Sequence, residues 1–157
     1  MSFRLPRAVW EKQKGEKSRR AFQKIVASGA PTGVLAYVGK EPVGWCAVAP
    51  REDFVRLEKS RVLKPVDDQP VWSVTCFFIA KKYRRSGLTE LLLRAAVEYA
   101  RKRGAKIVEG YPHDPPSGEM PEVFAWTGFL SAFRKAGFKE AARRSATRPI
   151  MRRTAND

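Results

Sequence analysis

Histidine and cysteine are nearly missing from this chain. His113 is its one histidine, and Cys46 and Cys76 are its only cysteines, in 157 residues. A metal centre of the His/Cys kind needs several such ligands at close spacing, so none is expected. Both cysteines lie in apolar stretches and read as buried thiols of a reducing compartment, which makes the cytoplasm the expected location. Long apolar runs are missing too. Nothing approaches the roughly 20 residues of a membrane span, and the opening MSFRLPRAVW lacks the apolar stretch of a secretory signal. No membrane association is expected. The chain shows no internal repeat, no low-complexity tract and no linker rich enough to divide it, so a single domain over 1–157 is expected.

Acidic residues are scarce. Sixteen Asp and Glu face 31 Lys and Arg, a net charge of +15. Such a field attracts anions: nucleic acid, an anionic membrane surface or a phosphorylated cofactor. The cations are spread along the whole chain, and no aromatic-and-basic RNA motif accompanies them. The charge therefore admits a nucleic-acid partner without favouring one.

What is present is patterned. Residues 7–28 read as two short helices broken near Gly15, with Trp10, Ala21, Phe22, Ile25 and Val26 as the apolar stripe. Ser2–Leu5 reads as a short first strand. Strand-like runs at 33–39 and 42–50 flank the turn Gly39-Lys40-Glu41, a hairpin by its turn chemistry. A short helix follows over 51–60 and a loop over 63–70. The run VWSVTCFFIA, 71–80, is β-branched and aromatic, as in a central strand. Leu88, Leu91, Leu92, Ala95, Ala96 and Tyr99 recur at helical spacing, which predicts a helix over 87–103 that stops at Gly104. A strand at 106–112, a proline-rich loop at 113–126, a short helix at 129–135 and strands around 138–144 and 147–153 complete the chain. The strand-helix-strand segment implies a parallel pair joined by a right-handed crossover, and the class is α/β with a mixed sheet.

One local conflict points to chemistry. Lys81, Lys82, Arg84 and Arg85 stand directly before the helix at 87–103. A helix N-terminus carries partial positive charge and favours acids in its first turn. The conflict disappears if an anion sits among these cations. A glycine-containing turn into a helix exposes backbone N–H groups that can hold a pyrophosphate, and Gly87 lets the backbone come close.

Arg84-Arg85-Ser86-Gly87-Leu88-Thr89 resembles the Arg/Gln-x-x-Gly-x-Gly/Ala signature of the GNAT superfamily of N-acetyltransferases, with Thr89 in place of the usual small residue. FRKAGFKEAARR, 133–144, is similar to that family's final helix and "GF" strand, and PVGWCAVAP to its second hairpin strand. The likeness covers roughly residues 33–152. GWCAVAP, CFF, VEGYP and FAWTGF, taken as a set, resemble a bacterial or archaeal branch. The resemblance implies a mixed, mostly antiparallel sheet with a central parallel strand pair, flanked by helices. It implies acetyl-CoA as cofactor, with Arg84, Arg85, Ser86, Gly87, Leu88 and Thr89 about the phosphates of coenzyme A. The backbone of Phe78 and Ile79 would pair with the pantetheine arm. Thr89 would add a hydroxyl hydrogen bond or crowd the turn. The implied activity is acetyl transfer to a primary amine of a small molecule or a protein, by a monomer or homodimer. Two other readings stay open: an RNA- or ribosome-associated basic protein, including one that acetylates an RNA-linked amine, and a non-catalytic acyl-CoA-binding protein.

Acetyl transfer to an amine has two proton problems, the ammonium to be deprotonated and the thiolate to be stabilised. Backbone N–H groups of the central strand could steady the oxyanion. Many family members place an acidic tyrosine four residues before the glycine of the "GF" segment. Here that position is Phe133, which has no proton to give. Replacements cluster in KIVEGYPHD, where Glu109, Tyr111 and His113 alternate to one face of a strand. Glu109 inside an apolar strand must pair with a cation or face a cleft, so it reads as a general base, a substrate anchor or an arginine's partner. Tyr111 reads as an acid or a core tyrosine, and His113 as an acid or a loop histidine. Cys76 has no accompanying base and reads as inert. Trp45 and Trp126, with Trp72 beside them, are candidates for lining an acceptor pocket. The loop 113–126 is long enough to act as a lid, and its Glu119 and Glu122 would attract a cationic amine.

Overall fold

A computed structural model describes residues 2–115 and 126–156. Glu119 and Glu122, and the lid reading of their loop, lie outside the described residues. Two N-terminal helices, α1 (Arg7–Lys12) and α2 (Glu16–Ala27), precede the hairpin β1 (Val34–Val38) and β2 (Glu41–Pro50). A 3-10 turn at Arg51–Asp53 leads into α3 (Val55–Glu58). The central strand β3 (Trp72–Ile79) is followed by a 3-10 turn at Lys81–Tyr83, then α4 (Leu88–Arg101) and β4 (Ile107–Gly110). The chain closes with α5 (Leu130–Lys135), β5 (Lys139–Arg143) and β6 (Pro149–Thr154).

The six strands form one sheet in the order β1-β2-β3-β4-β6-β5. Only β3 and β4 are parallel, paired at Trp72↔Val108, Ser73↔Glu109 and Val74↔Gly110, with α4 as the crossover between them. All other neighbours are antiparallel. The mixed sheet with its central parallel pair is therefore as the sequence implied. Ser2–Leu5 is a turn instead of a strand. Its Phe3 and Leu5 alternate as in a strand, but Phe3 is buried in the second core cluster and its carbonyl accepts from the Arg56 amide at 3.1 Å. Arg4 is held by Asp53 and the Pro31 carbonyl.

α4 lies on one face of the sheet. Leu92, Leu93, Ala96, Val97 and Ala100 are buried there with Val48, Val74, Val108 and Met151. Each large aliphatic side chain so buried stabilises the fold by about 1.5–3 kcal/mol. Gly44 on β2 is where this helix comes closest, since a Cβ there would stand 3.1 Å from Leu88 and 3.2 Å from Leu92. The opposite face carries a second cluster of Phe3, Ala49, Phe54, Leu57, Leu63, Tyr111 and Ile150.

The central strand carries a bulge. Ala47 pairs with Cys76 and Val48 with Val74, so Thr75 is the extra residue. Val74 and Phe77 consequently share the α4-side cluster although they are three apart. Without the bulge a period of two would put them on opposite faces. Past Val74 the pairing of β3 with β4 stops. The chain at 126–130 enters the gap: the Phe77 amide donates to the Trp126 carbonyl at 2.7 Å, and His113 donates to Gly128 at 2.8 Å. No helix among the described residues is long and apolar enough to cross a membrane.

Candidate active site

The turn before α4 has the geometry of an anion cradle. Gly87 sits in the left-handed region at φ +81°, caps α4 without any side-chain hydrogen bond, and would meet nothing within 4 Å if it carried a Cβ. Arg85, two residues earlier, is the one non-glycine residue with positive φ, at 60°, among the described residues. Left-handed residues in a turn aim successive amides at one point, and the macrodipole of α4 adds to them. Ser86 Oγ donates to the Tyr83 carbonyl at 2.6 Å, which braces the turn. Arg84 Nε donates to the Ile79 carbonyl at 3.2 Å, tying the turn to the end of β3. Arg84 through Thr89 thus form one turn between the end of β3, at Phe78 and Ile79, and the start of α4. Phe78 is 60% exposed, so its side chain is open to a neighbour. The donors fit a diphosphate: uncapped helix amides, two arginines and open space.

Glu109 and Tyr111 are placed differently from a cleft-facing pair. Both are completely buried. Glu109 Oε1 accepts from Arg51 Nη1 at 3.1 Å and from Tyr111 OH at 2.7 Å, while Oε2 accepts from Arg152 Nε at 2.7 Å. Arg51 also donates to Tyr111 OH at 2.7 Å, to Glu58 at 2.9 Å and to the Leu63 carbonyl at 2.7 Å. Ser73 Oγ stands 2.8 Å from Tyr111 OH, and Arg152 reaches on to Asp67 at 2.6 Å. Burial, reinforced by the Glu109 charge, pushes the Tyr111 phenol well above its ordinary value, so it holds its proton. The alternation of Glu109 and Tyr111 to one face is as read from the sequence, but that face is packed. Of the alternatives the sequence left for Glu109, this geometry matches the arginines' partner. Arg51 and Arg152, which bring the network together, were not singled out. Their signal was positional: each is a charged residue against a strongly apolar strand.

Phe133 is fully buried, edge-on to Phe77 at 6.2 Å and to Phe138 at 5.1 Å. The position of the family's acid is filled by core. Cys76 has its thiol pushed up by burial, which keeps it protonated and unreactive. Trp72 packs edge-on against Tyr99 of α4 at 6.1 Å.

Trp45 and Trp126 line different cavities. Trp45 packs against Phe22 at 5.8 Å and lines a small pocket with Phe3, Thr75 and Cys76. Trp126, 37% exposed, lines a groove of about 690 Å³ with Phe3, Arg56, Lys59, Leu63 and Arg148. Phe3 belongs to both cavities and lies 5.5 Å from the Trp126 ring. The Trp126 carbonyl holds the Phe77 amide, so this groove opens beside the same strand that leads to the Gly87 turn. His113 Nε2 is 2.9 Å from Arg148 Nη1 and can only accept there. Its Nδ1 then carries the hydrogen and has no partner, like the neighbouring Thr127 Oγ1 and Arg148 Nε. Burial, then the Arg148 charge, pushes the imidazole below its ordinary value, so it is neutral at pH 7.

The sequence profile of the acetyltransferase (GNAT) family matches residues 3–119, and the chain belongs to that family. Acetyl-CoA is the acyl donor that goes with it. Solved structures show the same fold. The ribosomal-protein-alanine N-acetyltransferase of Brucella melitensis superposes with a TM-score of 0.56 at 16% identity, over 98% of this chain and 87% of that one. A Bacillus subtilis acetyltransferase in complex with CoA gives 0.51 at 14% identity, over 88% of this chain and 85% of that one. The aminoglycoside acetyltransferase AAC(6')-Ib, in complex with coenzyme A and kanamycin, gives 0.52 at 21% identity, over 76% and 64%. No curated protein matches the chain.

Proposed function

We propose that this chain transfers the acetyl group of acetyl-CoA to a primary amine. The observation that carries the reading is the Gly87 turn: left-handed, uncapped, open, and preceded by Lys81, Lys82, Arg84 and Arg85. Arg84, Arg85 and the amides from Ser86 to Thr89 would hold the phosphates, and the edge of β3 at Phe78 and Ile79 would take the arm. When bound, the cofactor supplies a thioester carbonyl for the amine to attack.

The chain's own part is placement and charge. β3 connects the phosphate turn to the groove at Trp126, so an amine in that groove lies beside the strand that carries the arm. Arg7, Arg56, Lys59 and Arg148 line the groove, and no carboxylate does so among the described residues. Nearby cations disfavour an ammonium and lower its pKa, which delivers the amine in its nucleophilic form. This offsets the absence of a carboxylate base from the groove lining among the described residues. Glu109 and Tyr111 serve as positioning residues, holding β4, β6 and the Arg51 turn in register beneath the groove.

Calorimetry with acetyl-CoA at low and high salt tests the reading. Saturable one-to-one binding that weakens with salt is expected. Gly87→Trp should abolish it by filling the turn, and Arg84→Ala should weaken it without unfolding the protein. No binding to the native chain, or full affinity in Gly87→Trp, overturns the assignment. The buried Phe133 favours one competing reading, a protein that binds acyl-CoA without turnover. Release of free coenzyme A in the presence of an amine decides between them.

A further inference from the structure

The groove beside Trp126 contains a partly buried cation that has no carboxylate partner among the described residues. Arg148 makes one side-chain hydrogen bond, to His113 Nε2, and its Nε is buried with no partner. Burial alone moves its guanidinium, downward, with no carboxylate opposing the shift. Arginine stays charged regardless, so this charge is partly desolvated and meets no carboxylate among the described residues. A buried charge is costly unless something pairs with it. Elsewhere in the molecule the fold provides such partners: Arg4 has Asp53, Arg51 has Glu109, Arg143 has Asp114 and Arg152 has Asp67.

Three more cations line the same groove, of which Arg7 is paired with Glu11 and two, Arg56 and Lys59, are not paired among the described residues. Arg56 lies 5.4 Å over the Phe3 ring and donates to the Ser2 carbonyl at 3.2 Å. Lys59 is exposed. Neither has an ion-pair partner among the described residues. Phe3, Leu63 and Trp126 add apolar surface to the same groove. At about 690 Å³ the groove has the size of a small-molecule site. A concave site of this size, with three cations around an aromatic floor, is complementary to a small acid with an apolar stem. An extended polyanion would call for a stripe of charge along the surface instead.

We propose that this groove is the acceptor site and that it selects a small amine carrying a carboxylate or phosphate, with the partly buried Arg148 as the anchor and Arg56 and Lys59 at the rim. The proposal rests on the acetyltransferase reading above. The acid supplies the counter-ion that Arg148 lacks and orients the amine along the apolar floor toward Trp126 and β3. One acid compensates only part of this cationic lining, and the positive charge that remains still disfavours an ammonium.

Benzoate, phenyl phosphate and the neutral benzamide are suitable probes, with Trp126 fluorescence as the readout and Trp126→Phe as the control. Saturable binding of one or both acids and none of benzamide is expected, and the better acid distinguishes carboxylate from phosphate. Arg148→Gln should weaken the acid by about tenfold or more, the loss of one charge-assisted hydrogen bond. Lys59→Gln, at an exposed position, should weaken it less and guards against a folding defect in the first variant. In turnover, amine–acid substrates should outperform their amides, and Arg148→Gln should erase the difference. Equal response to benzoate, phenyl phosphate and benzamide overturns the proposal, as does an acid preference that survives in both variants. So does binding of a single-stranded RNA that neither acid displaces. Acetyl-CoA calorimetry on the same preparations separates the two ideas. Intact cofactor binding with no acid preference sinks the acceptor proposal alone, whereas absent cofactor binding sinks the reading beneath it.

Discussion

Arg51 and Glu109 are 58 residues apart in the chain and meet at 3.1 Å in the interior, the arginine side chain 8% and the glutamate 0% exposed. Arg152 closes on the other carboxylate oxygen at 2.7 Å, so one buried anion serves two guanidinium groups on different elements. Removing the shared partner leaves Arg51 only the half-exposed Glu58 and Arg152 only Asp67 near the surface. Breaking a buried pair in this way costs about 3–5 kcal/mol.

Glu109→Ala should therefore lower the urea midpoint by an amount equal to several kcal/mol, and Glu109→Gln by less, since the amide still accepts hydrogen bonds. Acetyl-CoA affinity of the folded fraction should be unchanged. A Glu109→Gln protein of normal stability that had lost turnover would reverse the assignment and make the carboxylate a catalytic base.

A second stability prediction concerns the family's missing acid. A Cβ added to Gly110 would overlap the Phe133 ring, and Phe133 is fully buried. Gly110→Ala should cost about 1–3 kcal/mol by overpacking. Phe133→Leu makes room, so the double variant should be more stable than the sum of the single effects predicts. Such coupling is expected only for residues in contact. Additive unfolding free energies would mean that Phe133 does not press on β4.

The local signals in the sequence were sufficient for α4, the β1–β2 hairpin and the Gly87 turn, because each depends on neighbours within a few residues. Leu92 and Ala96 recur on one face of α4 whatever it packs against. Ser2–Leu5 shows the opposite case. Its alternation suited a strand, but it pairs with no strand, and its backbone and side chains are held by Arg56 and Asp53 instead. Glu109 was legible as a carboxylate in need of a partner. That the partners are Arg51 and Arg152 depends on β4 pairing with β6 and on where β2 ends, which no local pattern encodes. The groove was visible only as Trp126. Phe3, Arg56 and Arg148 reach it from three distant segments.

Phe77 and Trp126 yield a test of how the arm and the groove communicate. The Phe77 amide belongs to the edge of β3 along which the arm is proposed to lie, and in this structure it donates to the Trp126 carbonyl at 2.7 Å. Acetyl-CoA bound along that edge should change hydrogen exchange at Phe77 and at the Gly128-bonded amide of His113, together with the amides of the Gly87 turn. Protection confined to the Gly87 turn would mean that the arm does not reach Phe77.

His113 sets a direction for pH dependence. Its folded-state pKa lies below the ordinary 6.5, chiefly through burial and secondarily through Arg148. The unfolded chain therefore takes up a proton in a range where the folded chain does not. In that window the unfolded state binds more protons, so unfolding free energy rises with pH. The contribution is complete above about pH 6.5 and is lost as pH falls through the folded-state value. Carboxylates such as Asp67 and Glu98, held below their ordinary values by Arg152 and Arg101, act with the same sign at lower pH. The histidine is isolated by difference: Tm measured against pH for the native chain and for His113→Gln should converge in acid and separate towards neutrality. Parallel curves across pH 5–7 would show that the imidazole titrates alike in both states, and that Arg148 does not press on it.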